Sequence, residues 1–270
     1  MKITFIGGGN MAGAIIGGLV RDGFDIQCVN IVEPVAAART QLTQRFGVTA
    51  VGGIAELAQI GDVVVLAVKP QQMRAAVEPL AALLQQQVVL SIAAGLRVAD
   101  LSRWLGGYAR VVRCMPNTPA LIGAGITAAC APKDLASDKR AAIERVLQAI
   151  GKVVWVDDEG LLDAVTAVSG SGPAYVFYFM EAMRDAAREL GLPAATAAEL
   201  TLQTVLGAAQ LAAGSSEDVS TLRERVTSKG GTTEAALKSM AADGVKESII
   251  RAVNAANSRS RVLGAELGKD

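Results

Sequence analysis

The chain has 270 residues, 51% of them hydrophobic, which supplies two packed cores and argues against global disorder. Its 26 basic and 26 acidic residues cancel, so no net field favours nucleic acid or an anionic membrane, and a small-molecule partner is expected. Histidine is absent, which excludes every imidazole-based triad, relay and metal site.

The opening MKITFIGGGN carries one lysine, a short apolar run and then glycines, which is neither a signal peptide nor a spanning helix. Cys28, Cys114 and Cys130 are too scattered for a CxxC metal or redox pair, and read as buried thiols in a reducing compartment. A cytoplasmic protein without a metal site is the expectation.

KITFI is the first predicted strand, and FIGGGNMAGAIIGGL follows it directly. Gly7, Gly9 and Ala12 fit GxGxxG/A between a strand and a helix, the pattern of a dinucleotide-binding turn. Gly7, Gly8, Gly9, Asn10 and Met11 would bring backbone N–H groups and a helix N-terminus to a pyrophosphate. A lone glycine turn is weak evidence; the flanking strand and amphipathic helix strengthen it.

Further apolar runs, QCVNIV, DVVVLAV, VVLSI, RVVRCM and KVVWV, alternate with helical spacing. Such runs are apolar throughout because helices cover both faces of a parallel sheet. Ligands of open parallel sheets bind outside the carboxyl ends of the strands. Those ends hold Glu33 in VNIVEP, then Ala67, Val68, Lys69 and Pro70 in VLAVKPQ, Ala93 and Ala94 in SIAAG, and Asn117 in RCMPNTPA. A carboxylate at position 33 reads either as a solvated acid at the strand end or as an acceptor from ribose hydroxyls that repels a 2′-phosphate, which would favour NADH over NADPH. Arg39 on the next helix can approach a phosphate, so the two cofactors stay open. Lys69 reads equally as a cofactor contact or an exposed lysine, and Asn117 as a group beside the nicotinamide or part of a stiff turn.

From about Gly160 the strand pattern stops. SGSGPAYVFYFMEAMRDAARELG, with Pro173 near its start and Gly191 and Pro193 at its end, predicts one long helix. Others are predicted over 193–213, 217–226, 233–242 and 245–267. The charged turn Asp157-Asp158-Glu159-Gly160 divides the chain into a Rossmann-type domain, 1–158, and an all-helical domain, 159–270. The helix over 193–213 is apolar on most faces, so a partner subunit is expected to cover it. In SGSGPAYVF the small residues fit tight helix packing better than cofactor contact.

VTSKGGTTEAAL, residues 226–237, places polar residues and two glycines ahead of a helix. Two readings stand: a cradle for a small anion, or an ordinary cap in which Thr232 or Thr233 closes the first turn and Glu234 sits at its positive end.

Taken together, FIGGGNMAGAIIGG, VLAVKPQ, SIAAG, RCMPNTPA, VSGSGPAYVF and VTSKGGTTEAAL, in this order across nearly the whole chain, resemble the pyrroline-5-carboxylate reductase family. The resemblance implies hydride transfer from NAD(P)H, usually NADPH, to the C=N bond of 1-pyrroline-5-carboxylate, giving L-proline. It implies that the helical domain binds substrate and forms a homodimer, often in larger rings of dimers. It assigns Ser228, Gly230, Gly231, Thr232 and Thr233 to the substrate carboxylate, with Thr233 nearest the ring nitrogen as a hydrogen-bonding group. Lys229 receives no role. A cyclic imine protonates readily, so orientation carries much of the catalysis and no histidine is needed.

Two rivals remain. A β-hydroxyacid dehydrogenase shares the two-part layout, but its helix-borne lysine, with an asparagine one turn on, has no clear counterpart after SGSGPAY. A nucleotide-sensing module without turnover would not need the TSKGGTT loop.

Overall fold

The computed structural model describes residues 1–269; Asp270, the last residue of the expected helical domain, lies outside them. Eight strands form one sheet in the order β3-β2-β1-β4-β5-β6-β7-β8. They are β1 (Ile3–Ile6), β2 (Val29–Val32), β3 (Thr49–Val51), β4 (Val63–Leu66), β5 (Val88–Ser91), β6 (Val111–Met115), β7 (Gly125–Cys130) and β8 (Gly151–Trp155). Every neighbouring pair is parallel except β6–β7, which is antiparallel.

The wholly apolar runs behave as their composition dictates. All residues of β1, β4 and β5 are buried, because α1 (Asn10–Arg21), α2 (Ala36–Phe46), α3 (Met73–Val77), α4 (Val98–Trp104) and α5 (Ser137–Gln148) and their connections flank the sheet. One core joins Phe5, Ile15, Ile31, Val65 and Leu90 to Ile143 and Leu147 of α5. A second gathers Leu66, Met73, Leu80 and Trp104 on another side of the same strands.

Two strands were not anticipated. TAV is three residues long, too short to show a period, and GITAAC is rich in alanine and begins with glycine, both weak strand formers. The fully parallel sheet expected from the sequence is corrected at β6–β7, where residues 118–122 form a tight 3₁₀ turn that brings the chain straight back. Cys114 and Cys130 are buried as expected, but Cys28 is partly exposed, since it ends a surface turn before β2 rather than lying within the strand.

After β8 come α6 (Leu161–Val165) and a wider π turn over Thr166–Gly170, then α7 (Gly172–Glu189), α8 (Ala194–Ala213), α9 (Val219–Arg225), α10 (Thr232–Ala242) and α11 (Val245–Leu267). Gly191, with φ of 92°, ends the α7 segment in the left-handed region. The chain forms two compact units. The first contains residues 1–171 and the chain from Ala256 onward; the second contains Gly172–Ala255.

In the first unit, the end of α11 is tied to α6 by Ser260, whose Oγ donates to Asp163 Oδ1 at 2.7 Å. It also runs close to the turn after β5: a Cβ on Gly264 would stand 2.9 Å from the Gly95 carbonyl oxygen. In the second unit, α8 buries only Ala197 and Thr201 and leaves Leu200, Leu202, Leu206 and Leu211 largely exposed. Phe177, Tyr178 and Phe179 of α7 are exposed as well. Apolar surface on this scale marks an association face.

Candidate active site

β1 neighbours β2 on one side and β4 on the other, so the strand order reverses at its carboxyl end, where open sheets form a ligand crevice. Gly7 stands there with φ of 96°, and its N–H donates to Val32 O at 2.8 Å. A Cβ at this position would lie 2.8 Å from Ala67 O and 2.7 Å from Val68 Cγ1. Both its dihedral and the close approach of the β4 exit therefore demand glycine.

Gly9 is the N-cap of α1 and contributes no side-chain cap. Gly9 and Asn10 are exposed, while Gly8 and Met11 are half-buried. The first amides of α1 thus face an accessible crevice without an internal acceptor, which fits the pyrophosphate of a dinucleotide. This turn meets the requirement of an NAD(P) cofactor on its own geometry.

Glu33 follows β2, but both of its oxygens are engaged by backbone donors. Gly8 N–H donates to Oε2 at 3.0 Å and Val35 N–H to Oε1 at 2.9 Å. Its carboxylate thereby stitches the glycine turn to the exit of β2. Arg39 Nη1 donates to Glu33 O at 2.8 Å and to Pro34 O at 2.9 Å, which pins a guanidinium beside the same strand end. Acid and cation therefore share the place where a Rossmann sheet meets the adenosine ribose.

The other expected cofactor residues lie at neighbouring strand ends. Ala67 N–H donates to Ile6 O at 2.8 Å, continuing the β1–β4 ladder; Val68 and Pro70 are half-buried and Lys69 is exposed. Ala93 is buried, its N–H donating to Ser91 Oγ at 3.3 Å, and Ala94 is exposed. Asn117 is turned inward. Its Oδ1 accepts from Ile126 N–H at 3.0 Å and its Nδ2 donates to Ser169 O at 3.2 Å, so it joins the exit of β6, the start of β7 and the π turn. In SGSGPAYVF the close approach is to a strand rather than to another helix: a Cβ on Gly170 would meet Met115 Cε of β6 at 2.6 Å, and one on Gly172 would meet nothing within 4 Å.

Sequence reasoning missed two buried polar ties behind these turns. Arg113 of β6 is 4% exposed and pairs with Glu159 through Nη1 and Oε1 at 3.0 Å; the same oxygen accepts from Val98 N–H at 2.8 Å. Asp163 is 7% exposed and held by Ser260. The signal was available for the first: arginine within VVRCM is a charge in an otherwise apolar strand and needs a buried partner. Next to it, burial pushes the Cys114 thiol far above its ordinary range, against a smaller opposing effect of Arg113.

The second unit carries the TSKGGTT loop between α9 and α10. Gly230 has φ of 73°, and Gly231 N–H donates to Ser228 O at 3.0 Å, closing a tight turn. Gly231 is the N-cap of α10, and no side chain caps the helix. Of the two readings of this loop, the one in which Thr232 or Thr233 forms the cap is not what the structure has: both threonines lie inside the helix, and the cap is a residue with no side chain to offer. Ser228, Gly230 and Thr232 are exposed, Gly231 and Thr233 half-buried. Amides at the start of α10, the Ser228 and Thr233 hydroxyls, and the positive end of an eleven-residue helix are brought together in one loop.

Among the described residues there is no group of three or more histidine, cysteine, aspartate or glutamate side chains that could hold a metal ion, and no helix long and apolar enough to cross a membrane. α7 contains arginines but no lysine, so it lacks the base of a β-hydroxyacid dehydrogenase.

Comparison with known proteins agrees with both halves. Residues 159–263 match the family model "Pyrroline-5-carboxylate reductase dimerisation", and residues 2–95 match "NADP oxidoreductase coenzyme F420-dependent". The chain is 47% identical over 269 residues to a pyrroline-5-carboxylate reductase of Pseudomonas aeruginosa, covering 99% of this chain and 98% of that one. A solved pyrroline-5-carboxylate reductase from Coxiella burnetii superposes with a TM-score of 0.92 at 40% identity, over 97% of this chain and 98% of that chain. The Plasmodium falciparum pyrroline carboxylate reductase, solved with NADP bound, superposes with a TM-score of 0.86 at 28% identity over 98% of both chains. Glycine turn, glycine-capped α10 and full-length similarity agree, and the similarity shows that the chain belongs to the pyrroline-5-carboxylate reductase family.

Proposed function

We propose that this chain reduces 1-pyrroline-5-carboxylate to L-proline with NAD(P)H, the last step of proline biosynthesis. The observation that carries the reading is the N-terminus of α10, where a glycine cap leaves the first amides open beside Ser228 and Thr233. A carboxylate satisfies such amides and complements the helix dipole. Ser228, Thr232 and Thr233 hold it through hydroxyls and amides, Gly230 and Gly231 let it approach closely because they carry no Cβ, and Thr233 orients the ring.

Gly9, Asn10 and Met11 hold the cofactor's pyrophosphate through their amides, while Gly7 and Gly8, whose own N–H groups bond Val32 and Glu33, shape the turn for its close approach. Glu33 lies towards the adenosine ribose, and Ala67, Val68, Lys69, Pro70, Ala93 and Ala94 line the rest of the crevice. Asn117, with its amide committed within the protein, supports the wall of that crevice rather than reading the nicotinamide. When bound, NAD(P)H supplies the hydride that adds to the imine carbon. The ring nitrogen takes its proton from water, and the C=N bond becomes the CH–NH bond of proline.

Thr233 is a weak acid, so its part is to fix the ring by a hydrogen bond rather than to donate the proton. Alignment of the two reacting carbons is the main contribution of the protein. Residues 1–158 serve the cofactor and 159–270 serve substrate and association, a division supported by the dimerisation match over 159–263. The exposed apolar faces of α7 and α8 suit a homodimer, which larger rings can repeat. A cytoplasmic site of action suits the unpaired cysteines.

The decisive assay mixes the purified chain with NADPH, or NADH, and 1-pyrroline-5-carboxylate while cofactor absorbance is followed. Imine-dependent oxidation of the cofactor with stoichiometric proline is expected. No oxidation with either cofactor would overturn the reading.

A further inference from the structure

Glu234 is the third residue of α10, and its side chain turns back on the loop that precedes the helix. Gly230 N–H donates to its Oε2 at 2.8 Å, and its Oε1 lies 3.2 Å from Lys238 Nζ, one helical turn further on. The side chain thus bridges a glycine held in the left-handed region and a cation on the helix body. Gly231 N–H is meanwhile taken by Ser228 O. Two of the loop's amides are satisfied from within, and the first amides of α10, those of Thr232 and Thr233, are left without an internal acceptor.

We propose that Glu234 is a positioning residue for recognition of the substrate carboxylate, an inference that rests on the function assigned above. By taking the Gly230 amide it fixes the Lys229–Gly230 peptide, which the single Gly231–Ser228 turn bond leaves the freer of the two beside consecutive glycines. The amides of Thr232 and Thr233 then stay aimed at a common point. Lys238 draws the charge of Glu234 along the helix, so the carboxylate that braces the loop repels the incoming carboxylate less. A flexible Gly-Gly turn without this brace would have to be ordered at each binding event, and that cost falls on substrate affinity rather than on the hydride step.

The same bond also resembles an ordinary capping interaction, whose removal lowers helix stability alone. Kinetics separate the two. Glu234→Ala is expected to raise KM for the imine at least fivefold, with kcat within twofold of the parent. The NADPH dissociation constant, measured by calorimetry without substrate, should not change. Glu234→Gln keeps an acceptor for Gly230 N–H and is expected to restore KM to within twofold.

An unchanged imine KM in Glu234→Ala would overturn the inference, whatever happened to its melting temperature. So would a Glu234→Gln variant as impaired as the alanine. Failure of the parent chain to reduce the imine would instead remove the function on which the inference rests, and the two failures are read from different proteins.

Discussion

Ser260 and Asp163 meet 97 positions apart in the chain, hydroxyl to carboxylate at 2.7 Å, and both are buried in the first unit. A buried carboxylate that loses a donor bears the full cost of desolvation. Ser260→Ala is therefore expected to lower stability by about 1.5 to 3 kcal/mol, the range for a hydrogen bond to a charged group. Urea unfolding checks it, and equal midpoints for parent and variant would show that the pair is dispensable.

Thr233→Val keeps the shape of the residue and removes its hydroxyl. Because Gly231 is the cap of α10, that hydroxyl has no capping task to lose. Catalytic efficiency for the imine should fall about 10- to 150-fold, the equivalent of about 1.5 to 3 kcal/mol. Cofactor affinity and melting temperature should stay near those of the parent. A lower melting temperature with normal turnover would return the loop to a purely structural role.

Glu33→Ser tests the choice between cofactors. Loss of the carboxylate removes repulsion from a 2′-phosphate, while Arg39 remains pinned at the same strand end. The ratio of kcat/KM with NADPH to that with NADH should rise. Both affinities should weaken somewhat, since Gly8 and Val35 lose the acceptor that holds the glycine turn. A constant ratio would show that the carboxylate does not face the ribose.

Cys114 gives a dependence on pH with a definite sign. Burial raises its folded-state pKa, so the folded protein holds the thiol neutral after the unfolded chain has begun to ionise near pH 8.5. Its contribution is fully present below that pH and is lost as pH rises through the alkaline range. The stability of the parent relative to Cys114→Ala should fall by up to about 1.4 kcal/mol per pH unit above pH ~9. Denaturation under reducing conditions at two alkaline pH values measures it; a flat difference would contradict the burial argument.

Much of the fold was legible because the strands carry their own signal. VVVL and VVLS are too apolar to lie anywhere but inside a covered sheet, and the helices over 193–213 and 245–267 follow their periodicity and punctuation. GITAAC was hidden because its strand state comes from pairing with β6 and β8, not from the propensities of alanine and glycine. At the candidate site, GGGN and SKGGTT were visible because consecutive glycines mark backbone that turns sharply or is closely approached. The direction of Asn117 and the double engagement of Glu33 could not be read, since they depend on Ser169, Ile126, Gly8 and Val35 arriving at the right distance. The π turn had no sequence mark beyond small residues.

The first unit is made of two separated stretches, and this fixes an order of events during synthesis. All eight strands leave the ribosome before the segment from Ala256 that carries Ser260 and Gly264. Until the whole of Gly172–Ala255 has been translated, Asp163 has no hydroxyl from Ser260 and the turn at Gly95 lacks its neighbour. A nascent sheet must therefore wait, partly uncovered, while an entire helical unit is made. Ribosomal pausing within that stretch would lengthen the exposure, and chaperone-poor expression would be felt first as aggregation of an unfinished nucleotide-binding half.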